Sequence, residues 1–330
     1  MALSNSFDFT VTAADVVQGA LEKLNVLEAG ESVDADDQAL ALRELNKLVK
    51  QWGHPADGSQ GMPVWLRKLV YLFLAKGTRV YTIGPSQDRA AQTYTRTTIS
   101  AAEAAGQTVI SITNGASIAT GAIIGIVLDD GTLHWSTVTS GGSATPTIND
   151  ALASAAAAGN TVFYYTPVSG AGNSIVFRPT RVLTAVLRDV NNVDQPVDVY
   201  DRMELPVFEG VGDKTTQADP LAIFVEHLYQ TARITLDCAA QDVTKVLRMW
   251  VLSPVDDIDA STDSLNFPPE WTPALEWELA KRCAPSFRAP WAEVMQANWQ
   301  QATAIARSAN PRGFEGGFHA EDGAEDEMTL

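Results

Sequence analysis

The stretch TAADVVQGALEKLNVLEAGESVDADDQALALRELNKLVKQW, residues 12–52, sets the architectural expectation for the chain. Val17, Ala20, Leu21 and Leu24 fall at i, i+3, i+4 and i+7 on one helix face, Thr12 stands where an N-cap is wanted, and Asp15 occupies the first turn. A turn holding Gly30 follows. Asp34, Asp36 and Asp37 then suit the start of a second helix, whose Ala41, Leu45, Leu48, Val49 and Trp52 make another apolar stripe ended by Gly53. Two amphipathic helices on a short connection bury their stripes against each other and need a further surface for the remainder. Val17, Leu21, Leu24, Leu45, Leu48 and Trp52 are therefore read as subunit-packing positions, completed by a neighbouring copy.

Downstream the period changes. Val64 to Ala75 is the most apolar stretch, reads as core, and at this length with Arg67 and Lys68 inside it falls short of the roughly 20 residues that cross a bilayer. From Gly77, Thr78, Val80 and Thr82 alternate with Tyr81 and Ile83 before the breaker pair Gly84 and Pro85, which predicts a strand. About Ile99 to Tyr165 the chain is rich in Ala, Gly, Ser and Thr and poor in basic residues, the character of an insertion. Thr108–Ile112, Ile123–Leu128, Leu133–Val138 and Thr161–Tyr165 read as its strands, with a hairpin turn at Asp129, Asp130 and Gly131. Ala151 to Ala158 is open between a helical turn and a small-residue loop.

Larger residues then return, with strands expected over Ile175–Phe177, Val182–Leu187, Ile234–Leu236 and Val246–Leu252 and a polar loop over Val211–Pro220. Thr272 and Pro273 open a helix bearing Leu275, Leu279, Ala280 and Cys283, and Pro290 opens a last one through Trp291, Val294, Met295, Ala302 and Ile305. Beyond Asn310, five glycine or proline breakers accompany six acids, the composition of a solvated tail. Phe314, Phe318, Met328 and Leu330 are spaced along it like anchors that order on a partner groove; an inert acidic terminus is the alternative.

Forty acidic against 23 basic residues give a formal charge of −17, which repels a phosphate backbone and argues against tight duplex binding. Met1 to Thr10 has no basic residue ahead of an apolar core, so no signal peptide is expected and assembly in a bacterial cytoplasm is. Cys238 and Cys283 lack CxxC or Cys/His spacing and read as reduced thiols. The four histidines stand far apart, without metal-motif spacing. Asp256, Asp257, Asp259 and Asp263 superficially resemble a calcium loop. Counted from Asp257, however, Thr262 stands where glycine is needed and Pro268 where glutamate is needed. No phosphate-cradling glycine motif and no nucleophile elbow is present. We therefore expect no catalytic site, no cofactor and no metal. A carboxylate pair that meets only in space leaves a virion-associated peptidoglycan-degrading glycosidase as the enzymatic alternative.

The order of elements resembles the P22-type packaged-DNA stabilisation and head-to-tail connector family of tailed bacteriophages. The likeness rests on Ala20, Leu21 and Leu24, then Leu27 to Glu31, Leu45, Asn46 and Trp52; on Gly77 with Tyr81, Thr82, Ile83 and Gly84; on Arg178 and Pro179 with Val182, Ala185 and Arg188; and on Pro268 to Ala284. It spans roughly residues 13–97 and 167–286, and the β-rich stretch 98–166 departs from it. The resemblance implies an α+β fold: an N-terminal helical hairpin or bundle packed with C-terminal helices, a β-rich portion, an inserted small β domain and an extended C-terminal arm. The domains expected are a discontinuous adaptor core over 1–97 and 167–309, an insert over 98–166 and an acidic arm over 310–330.

It further implies a structural adaptor of the virion neck that forms a ring, twelve copies in the family, beneath the portal protein. Such a ring seals packaged DNA, extends the channel and receives a downstream tail or nozzle protein. DNA would pass through it without tight binding, since twelve such chains carry roughly 200 excess negative charges. The arm residues Phe314, Phe318, Met328 and Leu330 would dock on the portal. Trp135, Tyr164 and Tyr165 mark a contact surface on the insert, with recognition of a fibre or host glycan as its alternative use.

Overall fold

The computed structural model describes residues 11–28, 30–52, 66–84, 88–167, 177–200, 216–253, 255–265, 267 and 269–309. Among them the chain forms fifteen strands and four α-helices. It is mostly β, and the expected α+β architecture, with an N-terminal helical bundle packed with C-terminal helices as its principal body, is incorrect. The expectation falls short because strand signals are weak where the sheet needs them: residues 194–200 carry Pro196 within the run, and the apolar run that holds residues 66–73 reads only as core.

Two compact units form, one from residues 1–64 with 255–330 and one from 65–254, a division that differs from the boundaries expected. In the first lie α1 (Ala13–Lys23), α2 (Ala35–Trp52), α3 (Thr272–Cys283) and α4 (Glu293–Ala309). Helix α1 opens on a capping box: Asp15 N–H donates to Thr12 Oγ1 at 3.2 Å, and Thr12 N–H donates back to the Asp15 carboxylate at 2.9 Å. Helix α3 begins at Thr272, the residue expected as its cap, so that Trp271 at the end of a 3₁₀ turn over Pro269–Trp271 is the cap instead, and it carries Pro273 in its first turn, where a missing N–H leaves no bond unmade.

The second unit holds all fifteen strands. In chain order they are β1 Leu66–Phe73, β2 Val80–Ile83, β3 Ala90–Ala91, β4 Thr95–Thr98, β5 Ile123–Val127, β6 Leu133–Ser140, β7 Thr147–Ile148 and β8 Thr161–Tyr165. There follow β9 Arg181–Arg188, β10 Asp194–Tyr200, β11 Gln217–Ala218, β12 Ala222–His227, β13 Ala232–Leu236, β14 Ala239–Ala240 and β15 Val246–Ser253. Eight of them, ordered β2-β13-β12-β10-β9-β15-β1-β3, curl into a nearly closed barrel in which the β10–β12 pair is parallel and the others are antiparallel. Alternate residues point inward, so Val70 and Leu72 of β1, Leu247, Met249 and Val251 of β15, and Ile223 and Ile234 of β12 and β13 fill its interior.

Residues 95–165 build a five-stranded antiparallel sheet ordered β4-β8-β5-β6-β7, so it begins before the insert expected over 98–166, and it has its own core around Ile110, Ile124, Ile126 and Val162. The strand expected over Thr108–Ile112 is reduced to isolated bridges at Val109 and Ile112, and Ala151–Ala158 is a loop. Its other face closes on the outside of the barrel through an aromatic seam. Phe73 of β1 lies 5.0 Å from the Trp135 ring, 5.2 Å from Phe163 and 5.7 Å from Tyr165, which it stacks upon. Tyr94 meets Tyr71 at 4.8 Å, edge to face. Arg96 ties the seam to the barrel by donating to the carbonyls of Asp189 at 2.6 Å and Thr244 at 3.3 Å.

Candidate interaction surfaces

The six side chains read as subunit-packing positions are all turned inward. Val17, Leu21, Leu24, Leu45, Leu48 and Trp52 are buried in the core of the first unit, where Leu275, Leu279, Ala280 and Cys283 of α3 cover their stripes and Trp52 meets Trp271 edge to face at 6.0 Å. The surface these helices lacked is supplied by the chain's own α3. Polar ties reinforce this closure: Asn46 donates to the Ile258 carbonyl at 2.6 Å and accepts from Ile258 N–H at 2.9 Å.

The insert residues are likewise spent inside. Tyr165 is buried in the aromatic seam, with burial pushing its phenol up to about 12, and Trp135 is half-buried beside it. Tyr164, on the opposite face of the same strand, packs against the insert's own core and shares a 2.8 Å hydrogen bond with Ser117 Oγ. The three do not form one surface. Phe314, Phe318, Met328 and Leu330 lie outside the described residues.

What faces solvent instead is a set of aliphatic side chains that the sequence reading passed over. Val190 and Val193 flank the Asn191–Asn192 turn between β9 and β10, Leu221 precedes β12, and Val80 opens β2; they are 45–62% and 48% exposed respectively. Strand register sets them at different levels along the barrel: Val190 and Val193 stand before the start of β10, Leu221 adjoins Asp198 near its end, and Val80 lies level with Tyr200 through β13 and β12. Tyr229, 90% exposed, stands on the β12–β13 turn at the opposite end from Val190 and Val193, held by Arg178 donating to the carbonyls of Leu228 at 2.8 Å and Tyr229 at 3.2 Å. Single exposed apolar residues are ordinary, but turn tips normally carry polar residues, so the apolar tips at the two ends are the candidate contact points. The sequence signal for the first was Val-Asn-Asn-Val at 190–193, a hairpin tip bracketed by valines.

Beside the β9–β10 turn the barrel carries a fixed charge network. Arg188 grips Asp194 through both carboxylate oxygens at 2.6 Å, and Arg248 reaches the same carboxylate at 3.3 Å. Hydrogen bonding from Arg188 above all holds the Asp194 carboxyl below the usual carboxylate range. Trp250 on β15 lies between two guanidinium groups, Arg67 at 5.3 Å and Arg248 at 5.9 Å from its ring.

The titratable groups that the sequence offered for chemistry are tied into structure. Asp257 pairs with Lys50 at 2.7 Å across a shallow recess of about 480 Å³, and Asp263 accepts from the N–H groups of Asp259 and Ala260 at 2.9 and 2.8 Å, bracing its own loop. Among the described residues no three His, Cys, Asp or Glu side chains are grouped to hold a metal ion, and no helix is long and apolar enough to cross a membrane. No protein-family model matches the chain, and no curated protein is significantly similar to it.

Proposed function

We propose that the chain is a structural head-to-tail adaptor of a tailed bacteriophage. Copies assemble as a ring, twelve in the family it resembles, beneath the portal protein at the virion neck. The ring seals packaged DNA, extends the channel and offers its far face to a downstream tail or nozzle protein. The observation that carries this reading is the pair of exposed apolar tips at opposite ends of the barrel, Val190 and Val193 on the β9–β10 turn and Tyr229 on the β12–β13 turn, with Leu221 and Val80 exposed between their levels. A component stacked between two others needs apolar contacts on opposite ends of one rigid body, and a barrel holds them in fixed register. The order of the sequence motifs supports the same assignment. A charge of −17 per chain suits a conduit that DNA must leave without adhering.

The exposed tips give the test. Replacing Val190, Val193 and Tyr229 together by Ser leaves the barrel interior untouched, because all three are exposed. Co-sedimentation with cognate portal rings should then fall by at least about tenfold relative to the unmodified chain, the loss of several apolar contacts of about 0.5–1 kcal/mol each. Undiminished co-sedimentation of the correctly folded variant would remove these residues from the docking surface.

A further inference from the structure

Arg96 stands where the insert's sheet meets the barrel, on the edge strand β4 and directly opposite Phe163 of β8. Its guanidinium lies 5.4 Å from the Phe163 ring and 6.0 Å from that of Tyr94, and it donates to the Asp189 carbonyl at 2.6 Å and to the Thr244 carbonyl at 3.3 Å. Thr244 is itself fixed, because Asp242 Oδ1 accepts from its N–H at 2.9 Å and from its hydroxyl at 2.6 Å. The Nε–H of Arg96 is buried without a partner. An unmade buried bond opposes folding, and groups kept at that cost cluster where a site has to be held.

Asp189 opens the turn between β9 and β10, and the hydrogen bonds of that turn converge on it. Its N–H donates to the Val193 carbonyl at 3.1 Å, its carbonyl accepts from Asn192 N–H at 3.3 Å, and its Oδ1 accepts from the N–H groups of Asn191 and Val193, both at 2.8 Å. The carbonyl that holds Asn192 is the one that Arg96 grips. Asn192 sits in the left-handed region at φ 60°, a conformation that persists where surrounding bonds over-determine it. Val190 and Val193, 45% and 62% exposed, stand on this turn. The Arg188–Asp194 pair fixes the two strands below the turn, whereas Arg96 fixes the direction of the Asp189 carbonyl inside it.

We infer that the insert braces the β9–β10 contact tip, with Arg96 as the positioning residue. The charge-assisted bond sets the Asp189 peptide plane, Asp189 sets the turn, and the turn presents Val190 and Val193 in one direction. A hairpin tip that has to be ordered on docking loses affinity to that ordering, and a tip held beforehand does not. The inference concerns what holds the contact point, and it rests on the adaptor reading only for what the tip touches.

Residue-resolved amide hydrogen exchange of the full chain tests the brace. Arg96→Met keeps an unbranched stem against Phe163 and removes both donated bonds. The amides of Asn192 and Val193 should then exchange about tenfold faster, the loss of one charge-assisted hydrogen bond, while those of Ile126 in the insert and Met249 in the barrel keep their protection. Arg96→Lys, with a single ammonium for the two carbonyls, should fall between the two, and it decides the matter if Arg96→Met does not fold. Co-sedimentation with portal rings should also fall in Arg96→Met, although Val190 and Val193 are unchanged. Tip amides that exchange at the unmodified rate, or an acceleration shared equally by Ile126 and Met249, would overturn the brace. So would full portal binding by Arg96→Met beside lost binding by the triple variant of Val190, Val193 and Tyr229. If that triple variant binds portal rings normally, the adaptor contact fails alone and the exchange rates still decide the brace.

Discussion

Gly125 of β5 and Trp135 of β6 face each other directly across an antiparallel ladder, and a β-carbon at Gly125 would lie 2.7 Å from the indole ring. The missing side chain lets the ring lie over the strand and close the seam against Phe73 and Tyr165. The same pairing explains why Trp135, read from sequence as a surface contact, is half-buried. Its ring belongs to the contact between the insert's sheet and the barrel.

Gly125→Ala is therefore expected to destabilise the protein. In most strands this change is favourable, by roughly 0.5–1 kcal/mol, because it restricts the unfolded chain. Here the indole cannot swing aside without breaking its contacts with Phe73 and Tyr165, and overpacking should cost about 1–3 kcal/mol. Urea denaturation followed by tryptophan fluorescence checks the sign.

The capping box of α1 predicts a pH-dependent effect. Hydrogen bonds from the Thr12 hydroxyl, 2.6 Å, and then the Thr12 backbone N–H, 2.9 Å, hold the Asp15 carboxyl below its ordinary value of 3.8. A depressed folded value means the carboxylate contributes fully above 3.8 and loses its contribution as the pH falls through the lower folded value. Thr12→Ala should cost about 1 kcal/mol at pH 7, and the gap to the unmodified chain should narrow as the pH falls below 3.8. Paired denaturation curves at the two pH values measure it.

Thiol chemistry supplies a third expectation. Burial pushes Cys283 up to about 11; burial, followed by the neighbouring Asp237 carboxylate, does the same to Cys238. At pH 8 roughly a thousandth of each thiol is then ionised, and labelling by a disulfide reagent should be at least about a hundredfold slower in the native protein than in denaturant. Comparable rates in both states would show the thiols to be open and ionised.

Parts of this fold were legible because their signals are local. Thr12 with Asp15 marked the start of α1, the stripe from Ala41 to Trp52 marked α2, and Asp129, Asp130 and Gly131 marked the β5–β6 turn. The strands that make the barrel were harder to read. Leu66–Phe73 presents Val70 and Leu72 to the barrel interior and Phe73 to the aromatic seam, so both faces are apolar at its buried end and only its context identifies it as a strand. β10 carries Pro196 within its run, which weakens any strand signal. The exposed aliphatic positions were missed for a related reason. Hydrophobic periodicity finds residues that are buried, and α1 and α2 spend theirs inside the chain, while Val190, Val193 and Leu221 stand at turns where no periodicity operates. In α4, Val294 and Ile305, two of the apolar residues that marked the helix, lie on its solvent side.

The assembly claim is tested most directly by electron microscopy of the purified chain mixed with portal rings of its cognate phage. The account predicts class averages in which a second ring of this protein sits coaxially on the portal, with the barrel ends forming the stacked layers. Portal rings that remain bare beside an excess of folded, unattached chain would contradict it.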